Sequence, residues 1–393
     1  MAKTADVVVI GGGVVGSAIA YFLAREKLKV TLIEKGCVAG GTSSKCDGNV
    51  AVYDALPGYG CQMNKMSQDM FPAMAEELED DIEWTRKGSV VLIENEAELA
   101  IAQAHCREMV AYGMPFRIMD RKEVHEDEPN LAGDIVGGIE VACDGSLNPM
   151  ALCNGLINGA RKFGATVLNS TAVTGISLGA NGNVEKILTH KDAIATENVV
   201  NAAGVRSPEI GEMVGMEIPV KPRQGQLIVG ERSLPVAKRK ISEFGYIMAK
   251  FEKLDYQRNV TPEMEKYGVA LVFEPTAALN FLIGSSRQFV GMDTACDPAV
   301  LRGMAQRAIR FFPVLKDIKI IRTYAGLRPY TPDHLPIISD TRIPGFYIAT
   351  GHEGNGIGLS LITGQLIRQM ICQSEPDISL EPLRFDRFNQ DKQ

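Results

Sequence analysis

The first apolar block of the chain, Asp6-Val7-Val8-Val9-Ile10, carries no polar position after its opening aspartate. A short β-branched run of this kind predicts a strand buried on both faces of a parallel sheet. Glycines follow, then a helical segment over 17–27, then a second strand, Lys29-Val30-Thr31-Leu32-Ile33-Glu34. The three pieces compose a βαβ unit near the start of the sequence.

Met66, Met70, Met74, Leu78 and Ile82 recur at a spacing of four and predict a helix over 67–87. Ser89-Val90-Val91-Leu92-Ile93 reads as a strand, with helices over 96–112 and 154–163. Strands are predicted at Ala165-Thr166-Val167-Leu168 and Val173-Thr174-Gly175-Ile176, and another over 199–204 ends in a tight turn. From about 221 to 320 alternating strand patterns dominate and βαβ order is absent. Phe346-Tyr347-Ile348-Ala349 is a last strand and 356–372 a last helix. Nucleotide-type patterns thus lie at the start, middle and end of the chain. That placement predicts a discontinuous domain from 1–85, 140–220 and 320–375, a second domain from 86–139 and 221–319, and a tail over 376–393.

The turn between the first strand and helix reads Gly11-Gly12-Gly13-Val14-Val15-Gly16. Gly11 permits a tight turn, Gly13 lets a backbone N–H approach a pyrophosphate, and Gly16 lets the helix pack closely on the sheet. Phosphates would then sit at a helix N-terminus, where unpaired N–H groups and the helix dipole favour an anion. Glu34 closes the second strand, placed to accept hydrogen bonds from ribose hydroxyls and to repel a 2′-phosphate. Gly40-Gly41-Thr42-Ser43-Ser44 follows, with small hydroxyls and N–H groups suited to the same pyrophosphate or to an ordinary surface loop. The fingerprint alone does not separate NAD from FAD.

Composition narrows the setting. With 45% hydrophobic and 23% charged residues over 393 positions, there is material for two globular cores. A net charge of −7 lacks the basic footprint that nucleic acid demands. The eight cysteines form no CxxC pair and have no histidine at zinc-ligand spacing. They read as reduced, mostly buried thiols of a cytoplasmic protein without a metal site, peripheral contact with the inner membrane face left open. Residues 7–24 are almost wholly apolar, but three consecutive glycines favour strand, turn and helix over a membrane span or secretion signal.

Further stretches complete a set: Glu34-Lys35, Gly41-Thr42-Ser43-Ser44, the segment 199–204, Ala325-Gly326-Leu327-Arg328-Pro329 with Thr331-Pro332-Asp333 and Leu335-Pro336, and 351–358. In this order, over about residues 5–370, the sequence resembles the D-amino acid oxidase and glycine/sarcosine oxidase family of FAD enzymes. Cys46-Asp47-Gly48 and Gly284-Ser285-Ser286-Arg287 look most like the flavin subunits of heteromeric dye-linked dehydrogenases acting on proline, hydroxyproline, opines or similar secondary amines. The resemblance implies an α/β fold, with a Rossmann-like FAD domain of the glutathione-reductase type and an inserted α+β substrate domain of mixed antiparallel sheet. It implies cofactor contacts from Gly11, Gly13, Val14, Val15, Gly16, Glu34, Lys35, Gly41, Thr42, Ser43, Ser44, Asp47, Gly48, Val173, Ala203, Gly204 and Arg328. Gly354, Asn355, Gly356, Ile357 and Gly358 would face the pyrimidine end of the ring, where a helix dipole and backbone N–H groups would stabilise the reduced anion.

The resemblance also gives Arg328 the substrate carboxylate, a task suited to a planar, permanently charged guanidinium. Tyr246, Tyr256, Phe273 and Tyr330 are candidates for shaping the substrate pocket, with Tyr246 and Tyr330 as further catalytic candidates; core packing is the plainer use of such rings. Several positions depart from the family. Arg206 and Tyr324 stand where many relatives have Trp, Glu353 replaces a small residue, and Lys45 lies near a histidine that some members tie covalently to the flavin. Noncovalent FAD is therefore expected. His352 is a candidate extra charge, although a lone histidine in a turn is more often simply hydrogen bonded, and Lys250 lies near in order to an oxygen-activating lysine of sarcosine oxidases but reads better as a surface residue. The implied reaction is oxidation of a C–N bond in an amino or imino acid by hydride transfer to flavin N5, with electrons passed to a second subunit or acceptor in an oligomer. Two rivals stand beside it: an oxidase that makes hydrogen peroxide, and a flavin-bearing subunit inactive without its partner.

Overall fold

The computed structural model describes residues 3–250 and 258–388, so Tyr256 lies outside the described residues, as does the side chain of Lys250. A six-stranded sheet runs in the order Ile337–Ser339, Phe346–Thr350, Val199–Asn201, Val7–Ile10, Val30–Ile33, Thr166–Leu168. Its pairs are parallel except at the first. Period two explains the unbroken apolar run of the central strand. Val7 and Val9 face a helical layer with Ala18, Leu23 and Leu361, whereas Val8 and Ile10 face a small sheet through Ile176, Val184 and Ile187.

The helical layer comprises Val14–Arg25, Pro149–Lys162 and Ser360–Ile371, the first packed between the other two. Val14–Arg25 is therefore buried on nearly every face and bears its first charge at Arg25. On the opposite side lie Lys3–Thr4, Ala193–Ala195, Val184–Thr189 and Val173–Leu178, a four-stranded sheet.

The alternating patterns form an eight-stranded mixed sheet: Ile320–Tyr330, Lys221–Gly230, Phe281–Gly284, Val272–Pro275, Lys240–Glu243, Ser89–Ile93, Gly137–Val141 and Phe116–Met119. Only Lys240–Glu243 with Ser89–Ile93 is parallel. Pro298–Phe311 covers part of one face, packing Val300, Met304 and Phe311 on Ile228, Phe281 and Ile283. Phe273 belongs to that core, stacked on Phe281 at 4.8 Å between centroids.

Several helix boundaries differ from the sequence expectation, the first helix running over Val14–Arg25 rather than 17–27. The helix predicted over 67–87 spans Tyr59–Glu77. Gly58, at φ 105°, turns the chain into it early, and Glu76, Glu77, Glu79, Asp80 and Asp81 oppose continuation at the negative end of the dipole. Leu78 and Ile82 are still buried, and Trp84 folds back to stack on Phe71 at 5.3 Å, so apolar spacing continued where the helix did not. The helix expected at 154 begins at Pro149, capped by Asn148, whose side chain accepts from Met150 and Ala151 N–H. The last helix begins at Ser360 rather than 356, because the chain from Gly351 to Leu359 stays in turns.

Candidate functional site

The carboxyl ends of four neighbouring strands converge on one cavity of about 550 Å³. Ile10-Gly11, Ile33-Glu34, Ala202-Ala203 and Ala349-Thr350 form its floor, the place where open α/β sheets bind ligands. The Gly-rich turn is shaped for it. Gly11 has φ 111°, and a Cβ there would lie 2.5 Å from the Ala202 carbonyl oxygen; a Cβ on Gly16 would strike the carbonyl of Gly11. Larger residues would prise the helix from the sheet.

Glu34 and the turn form one unit. Its Oε2 accepts from Gly12 N–H at 2.8 Å and its Oε1 from Gly36 N–H at 2.7 Å. The helix Val14–Arg25 has Gly13 as its first residue boundary and no side-chain cap of its own. Ser43 supplies one from a distance: its Oγ accepts from Val14 N–H at 3.0 Å, a contact of the kind worth ~1 kcal/mol. Thr42 donates to the Leu327 carbonyl at 2.7 Å and so ties this loop to the strand that carries Arg328.

Of the expected cofactor contacts, Gly11, Gly13, Val14, Val15, Glu34, Lys35, Gly41, Thr42, Ser43, Asp47, Val173, Ala203, Gly204, Arg328, Gly354, Gly356 and Ile357 line the cavity. Gly16, Ser44, Gly48, Asn355 and Gly358 stand behind its wall. Gly48 donates to Glu274 Oε1 at 2.8 Å, Ser44 Oγ donates to the Gly41 carbonyl at 3.2 Å, and the Gly358 carbonyl accepts from Ser67 Oγ at 2.5 Å. Asn355 N–H closes a turn onto the His352 carbonyl at 2.9 Å.

At the far end of the cavity, Arg328 is half-buried and its Nη1 donates to the Ser286 carbonyl at 2.9 Å. Among the described residues no carboxylate pairs with it. Directly across the strand pair is Arg223, which is buried and neutralised: its Nη2 lies 2.8 Å from Glu353 Oε2. Glu353 Oε1 lies 3.0 Å from His334 Nδ1. Glu353 thus cancels one of two adjacent guanidinium charges. Tyr246 lines the cavity, with the Arg287 guanidinium 4.1 Å from its ring centroid. Tyr330 does not line it; Arg223 lies over its ring, and His334 and Phe289 meet it edge-on.

His352 brings no charge. Thr363 Oγ1 donates to the Leu359 carbonyl at 2.7 Å, so His352 Nε2–H must be the donor in its 2.9 Å contact with that hydroxyl. Burial pushes the imidazole pKa down to about 3.

Sequence reasoning missed Lys240. Its buried amine lies 3.1 Å from both Asp47 Oδ2 and Glu274 Oε2, and Glu274 in turn holds Gly48. Burial opposes the charged amine, but the two carboxylates outweigh it and raise its pKa. The triad braces the Cys46–Gly48 wall from behind. Its members lie too far apart in sequence for any local pattern to announce them.

A comparison of the whole sequence with family models decides the class: residues 6–370 match the model described as FAD dependent oxidoreductase. The chain belongs to the FAD-dependent oxidoreductase family. Glycine oxidase of Geobacillus kaustophilus is 27% identical over 390 residues, with 97% of each chain covered. Its crystal structure superposes with a TM-score of 0.87 at 25% identity, covering 98% of this chain and 99% of that one. Hydrogen cyanide synthase subunit HcnC of Pseudomonas aeruginosa is 25% identical, covering 99% of this chain and 97% of its own. The structure of L-proline dehydrogenase from P. horikoshii shares the fold, with a TM-score of 0.88 at 22% identity over 100% of this chain and 99% of that one.

The cavity fits the FAD of this family. The glycine turn with Val14 and Ser43 would hold the pyrophosphate, Glu34 the ribose, and the backbone of Gly354, Gly356 and Ile357 the ring. Among the described residues no cluster of His, Cys, Asp or Glu is arranged to hold a metal ion, and no helix is long and apolar enough to cross a membrane.

Proposed function

We propose that this FAD enzyme oxidises the C–N bond of an amino acid or N-substituted amino acid of the proline, hydroxyproline, sarcosine or opine class. Electrons then pass to a partner subunit or another acceptor rather than to oxygen. The supporting observation is Arg328, a half-buried guanidinium on the cavity wall without a carboxylate partner among the described residues. Such a group is ready to take a substrate carboxylate in two parallel hydrogen bonds.

The bound flavin, held noncovalently, supplies the hydride acceptor at N5. Arg328 fixes the substrate's orientation, and fixed orientation removes much of the entropic barrier to reaction. Tyr246 lines the same cavity. The amine reacts in its neutral form and the imine product hydrolyses in water, so His352, neutral and engaged with Thr363, is not asked for a proton. We further propose a FAD unit from 1–85, 140–220 and 320–375 and a substrate unit from 86–139 and 221–319, joined through the pairing of Ile320–Tyr330 with Lys221–Gly230. The names glycine oxidase and L-proline dehydrogenase favour small amino and imino acids, and HcnC is itself called a subunit.

The test is anaerobic bleaching of the flavin by a panel of amino acids, imino acids and opines, followed by kinetics of Arg328→Ala. The variant should raise KM for carboxylate substrates on the order of a hundredfold, as expected for truncating one partner of an enclosed charge pair, far more than it perturbs FAD content. An unaltered KM sinks the reading. Dye reduction well above oxygen consumption supports a dehydrogenase; equal or faster oxygen consumption overturns that part.

A further inference from the structure

Gly225 sits inside the long strand Lys221–Gly230, where glycine contributes no packing and weakens a strand. Its backbone does not have the positive φ that would demand glycine. The reason lies across the sheet. A Cβ at position 225 would overlap Nη1, Nη2 and Cζ of Arg328. Arg328 is paired in register with Arg223, so Gly225 is its diagonal neighbour two residues along.

The two facing arginines part ways. Arg223 turns to Glu353 at 2.8 Å, while Arg328 crosses the strand at Gly225, a position without a side chain. On the other side it reaches the Ser286 carbonyl at 2.9 Å. That anchor is itself fastened to the strand, since Gln226 N–H donates to Ser286 Oγ at 3.1 Å. Both Gly225 and Arg328 line the cavity.

We propose that Gly225 is a positioning residue for substrate binding: its missing side chain is the bed on which the Arg328 guanidinium lies, held flat by the Ser286 carbonyl. The inference rests on the carboxylate role of Arg328 given above. Any side chain at 225 lifts the guanidinium off the strand and breaks the Ser286 contact, leaving the fold intact because a flexible side chain yields before backbone does.

The test is Gly225→Ala in the FAD-loaded protein, beside Arg328→Ala and the double variant. Affinity for acetate and benzoate, read from the perturbed flavin absorbance, and 1/KM for the best carboxylate substrate should each fall about tenfold, the worth of one charge-assisted hydrogen bond. The melting temperature and FAD content should change little. In the double variant, Gly225→Ala should add nothing to Arg328→Ala. If Gly225→Ala leaves both affinities intact while Arg328→Ala weakens them, the inference fails and the functional reading survives. If Arg328→Ala also has no effect, the functional reading itself has failed. Equal losses from Gly225→Ala with and without Arg328 overturn the inference as well.

Discussion

Arg223 Nη2 lies 2.8 Å from Glu353 Oε2, and both side chains are buried, 8% and 3% exposed. Burial pulls the Arg223 pKa below its usual value, and Glu353 opposes that pull. The pair joins the strand Lys221–Gly230 to the turn after Phe346–Thr350, two segments that both line the cavity. Losing one member strands a charge in a low-dielectric interior. Glu353→Ala should therefore lower the stability of the holoenzyme by about 3 kcal/mol in urea unfolding. Arg223→Met combined with Glu353→Leu should recover most of it. A double variant no better than the single one would show that the pair does more than neutralise itself.

Lys240 offers a second, sign-specific case. Lys240→Met leaves Asp47 and Glu274 facing each other without a cation, and burial already raises the Glu274 pKa in the intact triad. In the variant the folded state should hold a proton there that the unfolded chain releases above about pH 4. Stability of the variant relative to wild type should then be better at pH 5.5 than at pH 8. The stability deficit should be about 3 kcal/mol at the higher pH, with reduced FAD retention because Asp47 and Gly48 lose their brace. A deficit independent of pH would contradict the electrostatic account.

His352 predicts the opposite slope. Its folded pKa is depressed to about 3 by burial, whereas an unfolded histidine titrates near 6.5. Between these values the unfolded chain binds the extra proton. The neutral imidazole's contribution is thus complete above about pH 6.5 and is lost as pH falls toward 3. His352→Gln keeps a donor for Thr363 without the titration, so the stability gap between wild type and variant should shift in the variant's favour from pH 7 to pH 4.5. Any acidic limb in the activity profile should persist in the variant. A limb that vanished would give His352 a charged role that the present hydrogen bonds deny it.

The βαβ unit was readable because its information is local. Four buried residues in a row, three glycines and a terminal acid lie within about thirty residues, and period and backbone sterics settle the rest. The helix at Tyr59–Glu77 was half readable: Met66, Met70 and Met74 marked it, but Leu78 and Ile82 kept the same spacing while buried by a returning chain. Spacing cannot distinguish a helix from a segment that packs back on one. The glycine at 225 left a local mark, since a lone glycine in a strand pattern suggests close approach, yet nothing near it named Arg328 as the group that approaches.

By itself the sequence determined the nucleotide-binding turn, its acid, the mixed-sheet character of the region after 221, and the motif containing Arg328. Tertiary structure decided which charges remain available. Arg223 and Glu353 are 130 positions apart, and Lys240 and Asp47 are separated by 193; only folding brings each pair to hydrogen-bond distance. The physical reason is the range of the forces involved. Backbone propensity and side-chain period act over a few residues along the chain. Neutralisation of a buried charge depends on whatever folding places within about 4 Å of it.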